Sequence, residues 1–334
     1  MAGNVYPKVS IIIAAYNSEQ TIKESLNSIL TLDYPAGFTE VIVMDGGSKD
    51  ATVKIAENFP VKVVSIRLNA PAAYNYALKI ATHSVLGFID ADAKVESQWL
   101  KKLVVHLEEP KVAGVSGGIE TWNAENPWAR SIGYELKNRY RRIGKYTSRI
   151  ATMNLLLKKE VIEEAGGWDE NLPSQYDTDF GFRISAKGYK IAYEPNALCY
   201  HYHRPTLRAY YRQQLQYGKN TLKLYFKHAR LAKGDEITDF GMNIQPVLLL
   251  AVIAFFLLGI IEVLRPLWYI SGLILLLMLA YFLYSAAKIA VKFHDGVALR
   301  LVVLYFVRAF AWFVGAFITT VNYAVDKGRK TPNA

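Results

Sequence analysis

From about residue 240 the chain turns almost continuously apolar, and no other feature constrains its fold as strongly. The stretch IQPVLLLAVIAFFLLGIIEVL, residues 244–264, carries only Gln245 and Glu262 as strongly polar residues, both near its ends. A helix needs about 20 apolar residues to cross a bilayer. LWYISGLILLLMLAYFLYSAA, residues 267–287, is a second such run, and Glu262, Arg265 and Pro266 sit at the join. Together they read as a helical hairpin. A third candidate, residues 299–323, carries Arg300 at its start and Arg308 near its middle. A charge there is costly unless it is paired or faces a bundle interior. The expectation is a transmembrane domain over residues 241–334 with two or three crossings.

The N-terminal stretch MAGNVYPKVSIIIAAYN lacks the basic region, long apolar core and cleavage site of a signal peptide. The N-terminal domain is therefore expected to stay cytoplasmic in a multi-pass protein of the cell membrane. Lys288, Lys292 and Arg300 would then fall in a cytoplasmic loop, as the positive-inside tendency requires. With three crossings, the basic tail DKGRK would end outside, against that tendency.

Upstream the pattern differs. VSIIIAA, EVIVMD, VKVVSI and VLGFIDAD are short apolar runs, and amphipathic stretches such as QTIKESLNSILTL alternate with them. Strand and helix in turn predict an α/β domain over residues 1–204, built on a mostly parallel sheet covered on both faces. Ligands bind such sheets beyond the carboxyl ends of the strands. Tyr16-Asn17, Asp45-Gly46-Gly47-Ser48 and Asp90-Ala91-Asp92 all lie at such ends. No GxGxxG or GxxxxGK[ST] occurs, which argues against a Rossmann dinucleotide site and a P-loop.

With 39 Lys+Arg against 29 Asp+Glu, the net charge of +10 fits a nucleic acid, an anionic membrane or a phosphorylated substrate. The apolar C-terminal runs favour the last two. The single cysteine, Cys199, excludes an intrachain disulfide and has the apolar neighbours of an ordinary buried residue.

Asp90 and Asp92 have the spacing to hold a hard divalent cation such as Mg²⁺ or Mn²⁺, which takes oxygen ligands and shares them with substrate phosphates. Read in isolation, DAD is better explained as a turn and a helix cap. Asp45 could accept hydrogen bonds from a base or ribose, or simply close the DGG turn. Tyr16 and Asn17 could stack on and hydrogen-bond a nucleobase, or form a helix-entry turn. Asp177 and Asp179, expected in a loop before a helix, could supply a general base or cap that helix.

The order of these pieces resembles the family 2 inverting glycosyltransferases of GT-A fold. VSIIIAAYNSE, EVIVMDGGSKDAT, FIDADA, the GGWDE, YDTDFGFRI and KGYKI block, and RQQLQYGKN stand in that family's order over about residues 7 to 220. The basic, tyrosine-rich linker and the apolar C-terminus look like membrane-bound members that build lipid-linked or extracellular glycans, the succinoglycan-type transferases included. The resemblance implies that Ala14, Ala15, Tyr16, Asn17 and Asp45 bind the nucleotide, with Glu19 standing one place beyond the family's acidic position, which is Ser18. It implies that Asp90 and Asp92 hold the metal on the donor diphosphate and that Asp177 is the catalytic base. His201 and His203 are further candidate ligands.

Two departures matter for function. The family's Glu-Asp pair reads Tyr176-Asp177, and the processive Q-x-x-R-W signature reads Gln213-Gln214-Leu215-Gln216-Tyr217. Missing the arginine and tryptophan, this stretch points to transfer of a single sugar, with Gln213, Gln216 and Tyr217 as acceptor-side candidates. Residues 205–240 mix basic and aromatic side chains as an interfacial helix on anionic lipid does, and Arg141 and Arg142 are candidates for a phosphate of the acceptor. The expected partners are a nucleotide-sugar donor, GDP-mannose or a UDP-hexose, and a lipid-linked saccharide, and no nucleic acid. A polyprenyl-phosphate glycosyltransferase, a processive synthase and a non-catalytic nucleotide-sugar scaffold are the alternatives.

Overall fold

The computed structural model describes residues 6–329. Residues 1–5 and 330–334, Lys330 of the basic tail among them, lie outside the described residues. The chain divides into two units, one of residues 1–123 and 139–202, the other of residues 124–138 and 203–334.

The first unit begins as the alternating pattern predicts. β1 (Val9–Ala15), α1 (Ile22–Leu30), β2 (Thr39–Asp45), α2 (Thr52–Ala56), β3 (Lys62–Ser65), α3 (Ala70–Ile80) and β4 (Val85–Asp90) follow one another. β5 (Ala93–Val95), α4 (Trp99–Val104) and β6 (Val112–Thr121) come next. After the first part of α5 (Pro127–Tyr140), which belongs to the second unit, the chain adds β7 (Tyr146–Thr147), β8 (Leu155–Lys158), α6 (Lys159–Glu164), α7 (Tyr176–Ala186) and β9 (Lys190–His201).

One sheet results, in the order β3-β2-β1-β4-β8-β6-β9-β5, with β7 on β9. The β3-β2-β1-β4 half is parallel, as expected of strands joined by helices. The other half is mixed, because β8 runs antiparallel to both β4 and β6, and β5 and β7 run antiparallel to β9. The sheet is therefore less parallel than its first four strands suggest.

Alternation along each strand sends side chains to opposite faces. Ile11, Ile13, Val41, Val43 and Ile89 pack on one face with Ile22, Leu26 and Ile29, which follow one another at helical spacing in α1. Ile12, Ile42, Met44, Leu86 and Phe88 pack on the other with Ala73, Tyr74 and Ala77 of α3. A strand buried on both faces reads as an unbroken apolar run, which is why VSIIIAA does.

In the second unit, α8 (Leu207–Lys227), α9 (Phe240–Leu258), α10 (Leu267–Phe293) and α11 (Leu301–Arg329) follow one another. Three helical segments, Phe240–Leu258, Leu267–Phe293 and Gly296–Tyr323, are long and apolar enough to cross a membrane. Their surfaces leave Phe256, Leu257, Leu276, Leu277 and Phe317 exposed.

The first span lies earlier than the hydropathy suggests. Asp239 starts it by accepting from Met242 N at 2.9 Å, and it ends before Gly259, where a Cβ would stand 2.3 Å from the Trp268 indole. α10 extends to Phe293, so Lys288 and Lys292 ride its last turns instead of a loop. Arg308 is buried and paired, its guanidinium donating to Glu135 Oε1 at 2.6 Å and to Gln245 Oε1 at 3.3 Å. Gly218 and Gly315 let α8 and α11 cross at backbone distance, since a Cβ on either would approach the other helix's backbone to 2.6 Å.

Candidate active site

Parallel pairing puts three strand ends side by side. In the register of β1 with its neighbours, Ala15 stands opposite Asp45 and Ala14 opposite Asp90. A cavity of about 240 Å³ opens there, lined by Ala14, Ala15, Tyr16, Ser18, Gly46, Tyr74, Asp90, Asp92 and Tyr176 among others. Tyr16 is 61% exposed, so its ring face is available to a ligand. Asn17 takes the left-handed conformation (φ 49°), which asparagine tolerates better than most residues.

The YNSE and GGSKD loops are stitched together. Asn17 Oδ1 accepts from Lys49 N at 2.8 Å, Ser48 Oγ accepts from Asn17 N at 2.8 Å, and Glu19 Oε2 accepts from Ala51 N at 3.0 Å. Asp45, only 2% exposed, accepts from Gly47 N at 3.0 Å, Ser48 N at 3.1 Å and Ser65 Oγ at 2.7 Å. These contacts make Asp45 the organiser of the turn beyond it.

The tertiary structure brings His201 to the DAD sequence. β5 pairs antiparallel with β9 so that Ala93 faces His201, and Tyr202 N donates to Asp92 O at 2.8 Å. Side-chain ligand atoms of Asp90, Asp92 and His201 all lie within 4.8 Å of one another, and His201 Nε2 is 3.2 Å from Asp92 Oδ1. Asp92 caps no helix, since β5 begins at the next residue and α4 only at Trp99. His203, the other candidate, belongs to the second unit.

The donor set fits a divalent cation. Burial, and then the neighbouring charge of Asp92, push the Asp90 carboxyl up to about 7, only partly offset by His201. Crowded carboxylates of this kind repel one another, a repulsion that a bound metal ion would relieve. Two carboxylates and an imidazole are a ligand set that divalent cations accept.

Asp177 and Asp179 do not lie in a loop. Both belong to the first turn of α7, entered through Gln175 in the left-handed conformation (φ 61°). Asp179 is fully buried and bonded to Arg183 Nε at 2.8 Å, and the same guanidinium donates to Ala165 O and Gly167 O. That network fixes the GGWDE loop. Asp177 is half-buried and accepts from Thr178 N at 2.7 Å. Burial raises its carboxyl above the ordinary range, and the charge of Arg149 opposes that rise.

The remaining candidates are dispersed. Arg141 and Arg142 are exposed just beyond α5. Gln213, Gln216 and Tyr217 lie on α8 in the second unit, where Gln214 between them accepts from Trp312 Nε1 at 3.0 Å. Cys199 is buried, and burial pushes its thiol well above the usual range, as befits an inert side chain.

Sequence reading missed three residues that meet at the site. Tyr74, Thr152 and the hydroxyl of Tyr176 converge near Asp90. Their separation along the chain leaves no local pattern, and Tyr74 reads as part of the apolar stripe of α3. It also missed Asn75, which accepts from Trp168 N at 2.8 Å and donates to Trp168 O and Glu170 Oε1 at 2.9 and 2.8 Å.

Residues 10–165 match the profile of Glycosyl transferase family 2. Among curated proteins, Glycosyltransferase AglE of Haloferax volcanii is 26% identical over 227 residues, covering 66% of this chain and 74% of the relative. The Poly-beta-1,6-N-acetyl-D-glucosamine synthase of Staphylococcus epidermidis is 24% identical over 224 residues, 63% of this chain. The match spans only 54% of that synthase's length. Among solved structures, the mannosyltransferase PcManGT from Pyrobaculum calidifontis, in complex with GDP-Man and Mn²⁺, superposes with a TM-score of 0.60. It is 20% identical and the match covers 96% of this chain and 88% of that one. GalNAc-T7 with UDP, GalNAc and Mn²⁺ gives a TM-score of 0.50 at 16% identity, over 72% of this chain and 56% of that one. At these identities the likeness is one of fold.

Proposed function

We propose, from the match of residues 10–165 to the profile of Glycosyl transferase family 2, that the chain is a membrane-bound inverting enzyme moving one sugar from a nucleotide sugar to a hydroxyl of a lipid-linked saccharide. The observation that carries this reading is the Asp90–Asp92–His201 cluster beside a cavity where three strand ends meet. A GDP-mannose or UDP-hexose donor would lie along that edge. Tyr16 offers a ring to the base, and the Ala14-Ala15 backbone with the Asp45-ordered turn forms the floor.

A divalent cation, Mn²⁺ or Mg²⁺, held by Asp90, Asp92 and His201 would neutralise charge growing on the departing nucleoside diphosphate. Asp177 is the proposed base. Its upward-shifted carboxyl accepts a proton near neutral pH more readily than an ordinary aspartate does. It takes the proton of the acceptor hydroxyl as that oxygen attacks the anomeric carbon. Tyr176 in place of a glutamate leaves Asp177 as the carboxylate of the pair.

For the membrane, we propose a cytoplasmic catalytic portion over residues 1–204, interfacial helices over 205–240 and a multi-pass anchor over 241–334. Arg141, Arg142, Gln213, Gln216 and Tyr217 are assigned to the acceptor side. One observation favours a second reading: Arg149 is near enough to Asp177 to stabilise its charge, and a guanidinium there would equally receive a polyprenyl phosphate, which needs no base.

The test is a thermal-shift screen of nucleotide sugars with and without Mn²⁺, followed by transfer assays with Asp177→Asn. Ligands that bind the native state alone raise its melting temperature. A shift with one donor, dependent on metal, is expected. Undiminished transfer by Asp177→Asn would remove it as base and favour the phosphate acceptor. Donor binding without turnover on any acceptor would favour a scaffold.

A further inference from the structure

Two hydroxyls from distant parts of the chain meet at one carboxylate oxygen, and a third stands behind one of them. Tyr74 lies on the buried side of α3, Thr152 opens the short 3-10 turn Thr152–Asn154, and Tyr176 is the first residue of α7. Tyr74 Oη and Thr152 Oγ1 each stand 3.4 Å from Asp90 Oδ1, and Tyr176 Oη stands 3.2 Å from Thr152 Oγ1. Neither contact involves Oδ2.

With Asp90 ionised, as when it holds a cation, proton counting gives the direction of the chain. A hydroxyl has one proton to give, and an ionised carboxylate can only accept. Thr152 donates to Asp90, so the shared bond behind it must run from Tyr176 to Thr152. Packing holds the donors in place. Tyr74, 1% exposed, meets Phe88 edge-on at 5.3 Å between ring centroids, and Trp168 and Tyr176 flank it at 5.6 and 5.9 Å. Thr152 is 3% exposed. At 3.4 Å each bond is long for O–H···O, so the effect lies in two converging directions on one oxygen.

We propose that Tyr74 and Thr152, with Tyr176 behind Thr152, are positioning residues that clamp Oδ1 of Asp90 and thereby hold this carboxylate in its cation-binding orientation. The proposal rests on the metal reading of the Asp90–Asp92–His201 cluster. None of the three need touch the cation. Removing groups that orient a metal-bound side chain typically changes metal affinity by about 10–100-fold.

The experiment is a titration of the full chain in detergent with Mn²⁺ alone, followed by electron paramagnetic resonance of the free ion. Tyr74→Phe and Thr152→Val are each expected to weaken Mn²⁺ binding about tenfold, and Tyr176→Phe by less, because it acts through Thr152. Thr152→Ser keeps the hydroxyl and should bind Mn²⁺ as the unaltered chain does, which a purely steric role for Thr152 would not produce. Melting temperatures identify any variant that has lost its fold, and Tyr74→Phe, which loses one oxygen, is the safeguard. Wild-type Mn²⁺ affinity in both Tyr74→Phe and Thr152→Val, with Asp90→Ala abolishing binding, overturns the clamp. Binding that survives Asp90→Ala overturns the metal reading itself.

Discussion

Two clusters of buried charge in this protein have opposite characters. Around Asp90, two carboxylates and a histidine crowd together and one carboxyl is held up at about 7. Around Arg308, one cation meets Glu135 at 2.6 Å and Gln245 at 3.3 Å, and its guanidinium lies 4.8 Å from the Tyr305 ring centroid. The first sets two like charges together beside a histidine, whereas the second sets opposite charges against each other. Like charges crowded together raise the energy of the metal-free protein and a bound cation relieves them, while opposite charges offset each other within the chain. Crowded like charge is the feature on which the proposed metal site rests.

Substitutions in the two clusters should therefore separate turnover from stability. The largest effect is expected from Asp177→Asn, beside the first cluster, which should lower kcat by about 10²–10⁴-fold while metal and donor binding persist. Single-turnover transfer assays against donor-binding titrations read the two apart. Glu135→Ala should act the other way, costing about 3–5 kcal/mol of stability by leaving Arg308 buried and unmatched. Thermal unfolding in detergent measures it, and the double change Glu135→Leu with Arg308→Met should recover most of the loss.

A smaller effect comes from pH. The folded-state carboxyl of Asp90 titrates at about 7, above its ordinary value. A raised carboxyl contributes stability below the unfolded value of about 4, and that contribution is lost as pH rises toward 7. The metal-free protein should thus lose stability between about pH 4 and 7 from this group, and Asp90→Asn should flatten that slope. Mn²⁺ competes with the proton, so its affinity should fall by about tenfold per pH unit below 7, roughly 1.4 kcal/mol. Equal Mn²⁺ stabilisation at pH 5.5 and 8 would break the comparison. The smallest effect is expected from Asn75→Ala, which frees the GGWDE loop at about 1 kcal/mol and should raise the donor KM more than it lowers the melting temperature.

The parallel half of the sheet was legible because its strands are local runs with alternate faces both apolar, as in Ile11-Ile12-Ile13. The mixed half was not, because β8 finds β4 and β6 only across long separations. Asp90 and Asp92 were legible as a spaced pair at a strand end. Their isolated reading as a helix cap fails because the next element is β5, a three-residue strand too short to leave a periodic signal. Arg308 stood out in the third apolar run as a charge needing a partner, yet nothing near it in sequence named Glu135.

The sequence by itself determined that the C-terminal region is apolar enough for long helices, which runs make the parallel strands, and which carboxylates stand at their ends. These properties depend on composition and period over a few neighbouring residues. Only the tertiary structure set His201 beside Asp92, through the pairing of Ala93 with His201, and separated Asp179, bound to Arg183, from Asp177. It alone brought Tyr74, Thr152 and Tyr176 to Asp90. Such choices depend on strand register and on the packing of segments far apart in the chain, and hydrogen-bond geometry falls off within a fraction of an ångström, a precision that no local pattern of residues encodes.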